Sequence, residues 1–138
     1  MKIETNLVPR ASIINNNGFK INVGATKSEI SSIIGSYADK SGVYILNRNS
    51  DIIYVGHTDN FSQRIYNHIT GSKERDMYKD LSKNKDKDLF VFILCVDDID
   101  MLLDSNNMQL TKQQKICIYE KTLISIYNPI LNKDNSKE

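Results

Sequence analysis

Two short apolar runs on either side of one polar break constrain the fold of this chain more than any other feature. The runs are "GVYILN" at 42–47 and "IIYVG" at 52–56, and the segment between them is "RNSD". Runs of this length around a turn-forming break predict two β-strands joined as a hairpin, with a loop of three to five residues. Each strand then carries one tyrosine, Tyr44 or Tyr54.

The two tyrosines lead to a prediction about the hairpin register. Side chains alternate between the two faces of a strand, so phenols that serve one site must lie on the same face. This requires paired residue numbers with an even sum, for example Tyr44 opposite Tyr54 around a loop at 48–50. Tyr44 opposite Val55 would place the phenols on opposite faces.

The order of the remaining elements indicates the fold class. Capping boxes at Thr26 and Thr111 mark two helix starts, and Met77 with Leu81 indicates a short helix. The further predicted elements are strands at 18–23 and 89–96, the second buried on both faces, and helices at 26–40, 60–70 and 111–127. Hairpin, helix, strand and helix in this order predict an α/β (α+β) fold in which helices flank a small, mostly antiparallel sheet.

Length and composition limit the domain organisation and the function classes. A chain of 138 residues with 40% apolar residues predicts one globular domain, which we divide into an N-terminal extension (1–41), a core domain (42–132) and a tail (133–138). No apolar run approaches a membrane span and no signal segment opens the chain, so we expect a cytoplasmic protein. A net charge of +1 provides no overall attraction to nucleic acid. Cys95 and Cys117 are expected to be two buried thiols, since a disulfide or a metal site needs more than this pair offers.

Glu120 is the residue that a purely structural interpretation explains least well. It lies four residues after Ile116 and three before Leu123, on the apolar stripe of the last helix. Burying a carboxylate costs several kcal/mol unless a cation or hydrogen-bond donors satisfy it. One interpretation is a residue at the edge of the stripe that reaches solvent or a lysine. The other is a ligand for Mg²⁺, which often takes one protein carboxylate together with water and phosphate.

Arg64 and His68 share one face of the helix after the hairpin and flank its buried stripe. They are either a solvated arginine and a rim histidine, or a phosphate clamp and a proton carrier that titrates near neutral pH. His57 follows the second strand and is either a turn residue without a role or part of the same cleft. The basic residues between 64 and 87 form a solvated surface or contact the DNA backbone.

In chain order, these residues resemble the GIY-YIG nuclease family. "GVY" (42–44) and "YVG" (54–56) stand where the family has its two tripeptides, each with valine in place of isoleucine. "RIYNH" carries the family arginine as Arg64, and four residues later a histidine that many family nucleases have. Glu120 matches the metal-binding glutamate, and Asn132 in "NPILN" matches the asparagine of the closing stretch. The resemblance covers about residues 42–132.

The resemblance implies a metal-dependent DNA endonuclease that hydrolyses phosphodiester bonds. Tyr44, helped by Tyr54 or His68, would take the proton from an attacking water. Arg64 would neutralise the charge of the pentavalent phosphorane. Mg²⁺ or Mn²⁺ on Glu120 would stabilise the leaving 3′ oxygen.

The other matched positions have supporting roles under the same resemblance. Asn132 would hold the site together, and His57 would face the cleft. Gly42 and Gly56 would let the substrate backbone approach the hairpin without a Cβ in the way. A single carboxylate and a single arginine form one phosphate site, so cutting both DNA strands would need a homodimer or two successive binding events.

Three interpretations of the sequence stay open. The chain is a small stand-alone nuclease, of the kind found in phages and mobile elements, or a catalytically inactive nucleic-acid-binding module on the same fold. An unrelated structural α/β protein with a tyrosine-lined core is the third interpretation, and it leaves Glu120 unexplained. Nothing in the sequence identifies the DNA target.

Overall fold

The computed structural model describes residues 18–49, 51–70, 75–84, 87–97, 99 and 110–132. Within them, four strands form one sheet in the order β1-β4-β2-β3, and every neighbouring pair is antiparallel. The strands are β1 (Phe19–Ile21), β2 (Gly42–Arg48), β3 (Asp51–Thr58) and β4 (Leu89–Cys95). The helices are α1 (Lys27–Ile34), α2 (Phe61–Thr70), α3 (Arg75–Lys83) and α4 (Lys112–Tyr127), with 3₁₀ turns at Gly35–Tyr37 and Ile130–Asn132. The predicted α+β class with an antiparallel sheet and flanking helices is confirmed.

The hairpin turn is tighter than predicted. Arg48 pairs with Asp51, so only two residues connect β2 and β3 instead of three to five. Asn49 has a φ of 52°, the positive value that two-residue hairpin turns require and that asparagine tolerates well. The predicted loop length was wrong because the ladder continues into the polar segment.

A β-bulge restores the register that this tight turn would otherwise shift. Leu46 pairs with Tyr54 while Asn47 pairs with Ile52, so Ile53 is the extra residue on β3. If the register of the turn continued along the ladder, Tyr44 would lie opposite Val55. The bulge moves the pairing by one residue.

The tyrosines consequently share one face of the sheet. Tyr44 pairs with Gly56, and Tyr54 pairs with Leu46. The residue numbers in each of these two pairs add up to an even number, as predicted. The residue opposite Tyr44 is, however, Gly56 and not the suggested Tyr54. One extra residue in β3 therefore decides whether both phenols can belong to one site.

Helices pack against both faces of the sheet. On one face, Tyr44 and Tyr54 belong to a core cluster with residues of α1 and α2, such as Ile30 and Ile65. On the other face, a second cluster joins the hairpin to α4; its buried members are Val43, Ile45, Val55, Leu94, Ile99, Ile116, Tyr119 and Leu123. β1 pairs with β4 and α1 packs against α2, so residues 18–41 contribute a strand and a helix to this same core.

The helix ends follow local sequence signals. The capping boxes at Thr26 and Thr111 are both present, as predicted. The first helix ends earlier than expected, at Ile34, because Gly35 takes a φ of 61° outside the helical region. Helix α4 ends at Tyr127, because its C-cap Asn128 adopts the left-handed conformation immediately before Pro129.

The structure also bears on the two cysteines and on membrane spans. Cys95 and Cys117 are both free thiols; Cys95 is buried as predicted, whereas Cys117 is partly exposed because it lies beside the buried stripe of α4. None of the described helices is long and apolar enough to cross a lipid bilayer. Residues 97–110, for which the sequence predicts no definite element, lie largely outside the described residues.

Candidate active site

The hydroxyl of Tyr44 connects the hairpin to helix α2. It lies 2.5 Å from Nε2 of His68 and accepts a hydrogen bond of 3.3 Å from Nε of Arg64. Arg64 and His68 are four residues apart on α2, so both reach the same strand residue from one helix face. The structure thus brings together three of the residues that the sequence placed in one site.

Tyr54 completes this cluster by ring packing. Its ring centroid is 6.0 Å from that of Tyr44 and 5.2 Å from that of His68, the second contact being edge to face. Such aromatic contacts fix ring orientation as well as burying area. Tyr44 is 0% exposed and Tyr54 5% exposed, so neither phenol lies at an open surface.

His68 differs from its predicted role at the rim of the helix. The side chain is only 1% exposed, enclosed between the tyrosines. Burial, together with the positive charge of Arg64, lowers the pKa of His68 to about 3. The expectation of a histidine that titrates near neutral pH was therefore wrong. At pH 7 His68 is neutral and acts as a hydrogen-bond partner of Tyr44.

The two hairpin glycines are required by the protein's own packing. A Cβ at Gly56 would lie 2.7 Å from the Tyr44 hydroxyl and 2.8 Å from Cε2 of Tyr54, so its absence makes room for the two phenols. At Gly42 a Cβ would lie 2.1 Å from the carbonyl oxygen of Leu94, and φ is 152°. Packing alone therefore explains both glycines, and their role in the approach of substrate stays a prediction.

Glu120 lies beside the buried stripe of α4 and contacts His57. Its carboxylate Oε1 is 2.9 Å from Nδ1 of His57, with the side chains 16% and 42% exposed respectively. Tyr119, not Glu120, occupies the fully buried position between Ile116 and Leu123. The assignment of Glu120 to the buried stripe was therefore wrong; it is at the edge, and its partner is a histidine.

Sequence reasoning missed Tyr119 and did not identify the face on which His57 lies. Tyr119 is three residues after Ile116 and four before Leu123, a helical spacing as good as that of Glu120, so the signal for its burial was present. His57 follows Gly56 within a regular strand, where alternation places it on the face opposite Tyr44. That alternation was the available signal that His57 faces α4 and is not a turn residue.

The predicted site residues thus form two clusters on opposite faces of β3. Tyr44, Tyr54, Arg64 and His68 lie on the α2 face, and His57 with Glu120 lies on the α4 face. The clusters meet along the strand, because Gly56 beneath Tyr44 is directly followed by His57.

Asn132 binds the outer edge of the same strand. Its side-chain oxygen accepts from the backbone N–H of Val55 at 2.8 Å, and its amide nitrogen donates to the Val55 carbonyl at 2.9 Å. β3 is the last strand of the sheet, so this amide takes the place of a neighbouring strand at one residue. Asn132 therefore fixes the residue between Tyr54 and Gly56.

The basic stretch after α2 is only partly described. Lys79, Lys83 and Lys87 are exposed, whereas Lys73 and Lys85 lie outside the described residues. Arg48 at the hairpin tip forms an ion pair with Asp80 of α3 and holds this helix beside the hairpin. The described lysines are compatible with a solvated surface and with a contact to a nucleic-acid backbone.

The donor groups near Glu120 suit a divalent cation. A carboxylate oxygen that is partly exposed leaves room for water ligands, and oxygen is the donor that Mg²⁺ prefers. Among the described residues, no three histidine, cysteine, aspartate or glutamate side chains gather closely enough to form a metal site. Any ion held here would take only one or two ligands from the described protein residues.

Comparison with known proteins adds one finding to this geometry. Residues 40–102 match the family model described as the GIY-YIG catalytic domain. The match includes the two tyrosines, Arg64 and His68, and ends before Glu120 and Asn132. No curated protein and no solved structure gave a significant match to the chain.

Proposed function

Residues 40–102 of this chain belong to the GIY-YIG nuclease family, and we propose that the protein is a divalent-metal-dependent endonuclease that hydrolyses phosphodiester bonds of DNA. The observation that carries this proposal is the contact of the Tyr44 hydroxyl with both Arg64 and His68 inside the matched segment. A phenol held between a cation and a neutral imidazole can both lose a proton and be stabilised without it.

Arg64 is the group in this cluster that meets the substrate first. Its side chain is half-buried, whereas Tyr44 lies behind it at 0% exposure. Nε of Arg64 donates to the Tyr44 oxygen, and a guanidinium is suited to bind the oxygens of the scissile phosphate. For the attacking water to reach Tyr44, the guanidinium would have to move aside, towards the phosphate that it binds.

The proton of the attacking water passes to Tyr44 in this proposal. Tyr44 must first lose its own proton to solvent, because only the phenolate can accept the proton of the water. His68 stays neutral because its pKa is about 3, and in the tautomer with the proton on Nε2 it donates to this phenolate. Arg64 stabilises the negative charge on the phenolic oxygen and on the phosphate. Tyr54 would orient the attacking water, and its ring contacts hold Tyr44 and His68 in place.

The cluster on the α4 face, His57 with Glu120, has a different role in the proposed reaction. Glu120 would hold the divalent ion, Mg²⁺ or Mn²⁺, which when bound supplies charge stabilisation to the leaving 3′ oxygen. Asn132 acts as a positioning residue, since it binds Val55 between the two clusters. A phosphate that crosses the β3 edge near Gly56 and His57 would contact both faces of the strand.

Nicking of supercoiled plasmid in the presence of Mg²⁺ tests the proposal. Tyr44→Phe keeps the buried ring and removes only the hydroxyl, and it should lower the nicking rate by about a hundredfold or more. Tyr119→Phe is the matched control, because Tyr119 is also 0% exposed and its hydroxyl makes no hydrogen bond in the described part of the chain. That control should nick DNA at the wild-type rate. Equal nicking by both variants would contradict the assignment of Tyr44.

The same assay tests how many strands one chain cuts. A single Tyr44–Arg64 site handles one phosphate, so nicked plasmid should accumulate before linear plasmid appears. Homodimer formation on DNA would produce linear product in one event. A monomer that linearises plasmid without a nicked intermediate would refute the one-site proposal.

The alternative is a catalytically inactive nucleic-acid-binding module. The complete burial of Tyr44 is the observation that favours it, because a base with no access to water cannot act. Wild-type protein that binds DNA in Mg²⁺ and in EDTA, but nicks it in neither, would establish this alternative.

A further inference from the structure

We propose that His57 and Glu120 together hold the divalent ion, and that the imidazole ligand makes this site prefer Mn²⁺ to Mg²⁺. The inference rests on the proposed function only in taking Glu120 as the carboxylate that binds the ion. It adds a second protein ligand and a metal preference that the family match does not supply, because the matched residues end before Glu120.

The separation of the two side chains suits a shared ion. Nδ1 of His57 and Oε1 of Glu120 are 2.9 Å apart. Two adjacent ligands of an octahedral ion, each about 2.1 Å from it, lie about 3.0 Å from one another. An ion bound by both atoms would lie beside the line that joins them, so the imidazole must turn towards it while the separation of the two atoms stays nearly the same.

Both residues of the pair lie on regular secondary structure. His57 is on strand β3 and Glu120 is within α4, with 63 positions between them in the chain. Val55 and Tyr119, next to this pair, are both buried at 0% exposure in the cluster that packs α4 against the hairpin. The approach of the imidazole to the carboxylate is therefore determined by core packing, and a binding pair on rigid elements loses little freedom when it binds an ion.

The exposure of the pair allows other ligands to enter. The His57 side chain is 42% exposed and that of Glu120 16% exposed, so solvent reaches the pair from one side. The remaining coordination positions of the ion would be filled by water and by an oxygen of the DNA phosphate. A pair enclosed on every side would exclude both.

The nitrogen donor determines the metal preference. Mg²⁺ is a hard cation that takes oxygen ligands and gives up its water reluctantly. Mn²⁺ and the later first-row ions accept imidazole more readily. A site with one carboxylate and one imidazole should therefore bind Mn²⁺ more tightly than Mg²⁺, by about tenfold or more.

The competing explanation is that His57 only donates a hydrogen bond to Glu120 and keeps the carboxylate oriented. Both explanations predict weaker metal binding when His57 is changed. Only direct ligation places a nitrogen nucleus on the ion, and electron spin echo spectroscopy of bound Mn²⁺ detects such a nitrogen. The chain has two histidines, His57 and His68, so the source of the signal can be assigned by substitution.

The test uses the full-length metal-free protein and titrates Mn²⁺ and Mg²⁺ separately by calorimetry. Wild-type protein should favour Mn²⁺, and His57→Gln should weaken Mn²⁺ binding by about tenfold with a much smaller effect on Mg²⁺. Glu120→Gln should abolish binding of both ions. The nitrogen signal of bound Mn²⁺ should be present in wild-type and in His68→Asn, and absent in His57→Gln.

The outcomes separate this inference from the proposed function. Absence of a nitrogen signal in wild-type protein, or an unchanged preference in His57→Gln, would overturn ligation by His57 whether or not DNA is cut. A nitrogen signal that depends on His57, with no DNA cleavage in either ion, would support the metal site and refute the nuclease. Circular dichroism of His57→Gln guards against misfolding, with His57→Asn as a second variant.

Discussion

The two faces of strand β3 differ in how much solvent reaches them. On the α2 face Tyr44 is 0% exposed and His68 1% exposed, and their polar atoms bond to each other. On the α4 face His57 is 42% exposed and holds the carboxylate of Glu120. The comparison shows that strand β3 lies between a closed cluster, where substitutions that change side-chain volume should affect folding, and an open pair, where substitutions should affect chemistry at little cost in folding.

The largest expected effect belongs to the open pair. Glu120→Gln removes the charge that would hold an ion and should lower DNA nicking by about a hundredfold or more. Because the amide is no costlier to bury than the carboxylate, the thermal unfolding temperature without metal should be the same or higher. DNA binding in EDTA should persist.

Asp97→Asn is the control for loss of a carboxylate. Asp97 is 74% exposed and pairs with Lys112, so its variant should nick DNA at the wild-type rate. Unchanged nicking by Glu120→Gln together with a collapse of folding would make Glu120 a structural residue and would break the contrast between the two faces.

The closed cluster should be sensitive to added volume. Gly56→Ala places a methyl group 2.7 Å from the Tyr44 hydroxyl, so the phenols must shift. The free energy of unfolding, measured with urea, should fall by about 3 kcal/mol through overpacking. Gly24→Ala is the control: its Cβ would meet only Asn22 Oδ1 at 3.7 Å, and the change should stay within about 0.5 kcal/mol. Equal stability of the two variants would show that the tyrosine cluster is loosely packed.

The strand edge between the two faces gives an intermediate effect. Asn132→Ala removes both hydrogen bonds to Val55 and should lower the free energy of unfolding by about 2 kcal/mol. Asn132→Asp retains the acceptor for the Val55 N–H but loses the donor to its carbonyl. It should be destabilised as well, because a carboxylate oxygen then faces that carbonyl. Stability of either variant at the wild-type level would show that water replaces the amide without cost.

The smallest expected effect is a pH dependence from the closed cluster. The pKa of His68 is lowered from 6.5 to about 3 in the folded state, so the unfolded chain binds more protons between these values. The stability contributed by the neutral form is present above pH 6.5 and is lost as the pH falls towards 3. Between pH 7 and 5.5 the loss should be about 1 kcal/mol.

Urea unfolding of wild-type and His68→Asn over this pH range measures the effect. Asparagine keeps a polar side chain at this position but does not titrate, so the difference in pH slope between the two proteins reports His68 alone. Parallel slopes would show that His68 is solvated in the folded protein, against its burial between the tyrosines.

Several site residues could be located from the sequence because their signals are local or repeated. The spacing of Arg64 and His68 placed both on one helix face, and the even-sum rule placed both phenols on one sheet face. The spacing could not predict how deeply a side chain is buried. His68 was expected at the rim of the helix, but rings from two strands enclose it. Burial of a helix residue depends on what packs against it, and that partner is distant in the chain.

The sequence by itself determined those elements whose stabilising interactions lie within a few residues. Thr26 and Thr111 satisfy helix N-termini through residues three positions away, and both helices begin there. The apolar runs at 42–47 and 52–56 became strands, and the segment at 89–96 became the strand between β1 and β2 in the sheet. These features need no knowledge of the tertiary structure.

Only the tertiary structure decided the bulge at Ile53, the contact of His57 with Glu120, and the amide of Asn132 on Val55. The last two contacts join residues 63 and 77 positions apart, and their formation depends on how α4 and the C-terminal turn dock on the edge of β3. Tyr119 and Glu120 fit the helical spacing of the buried stripe equally well. Docking selected the tyrosine, because burying a phenol ring in an apolar cluster costs far less than burying a charge.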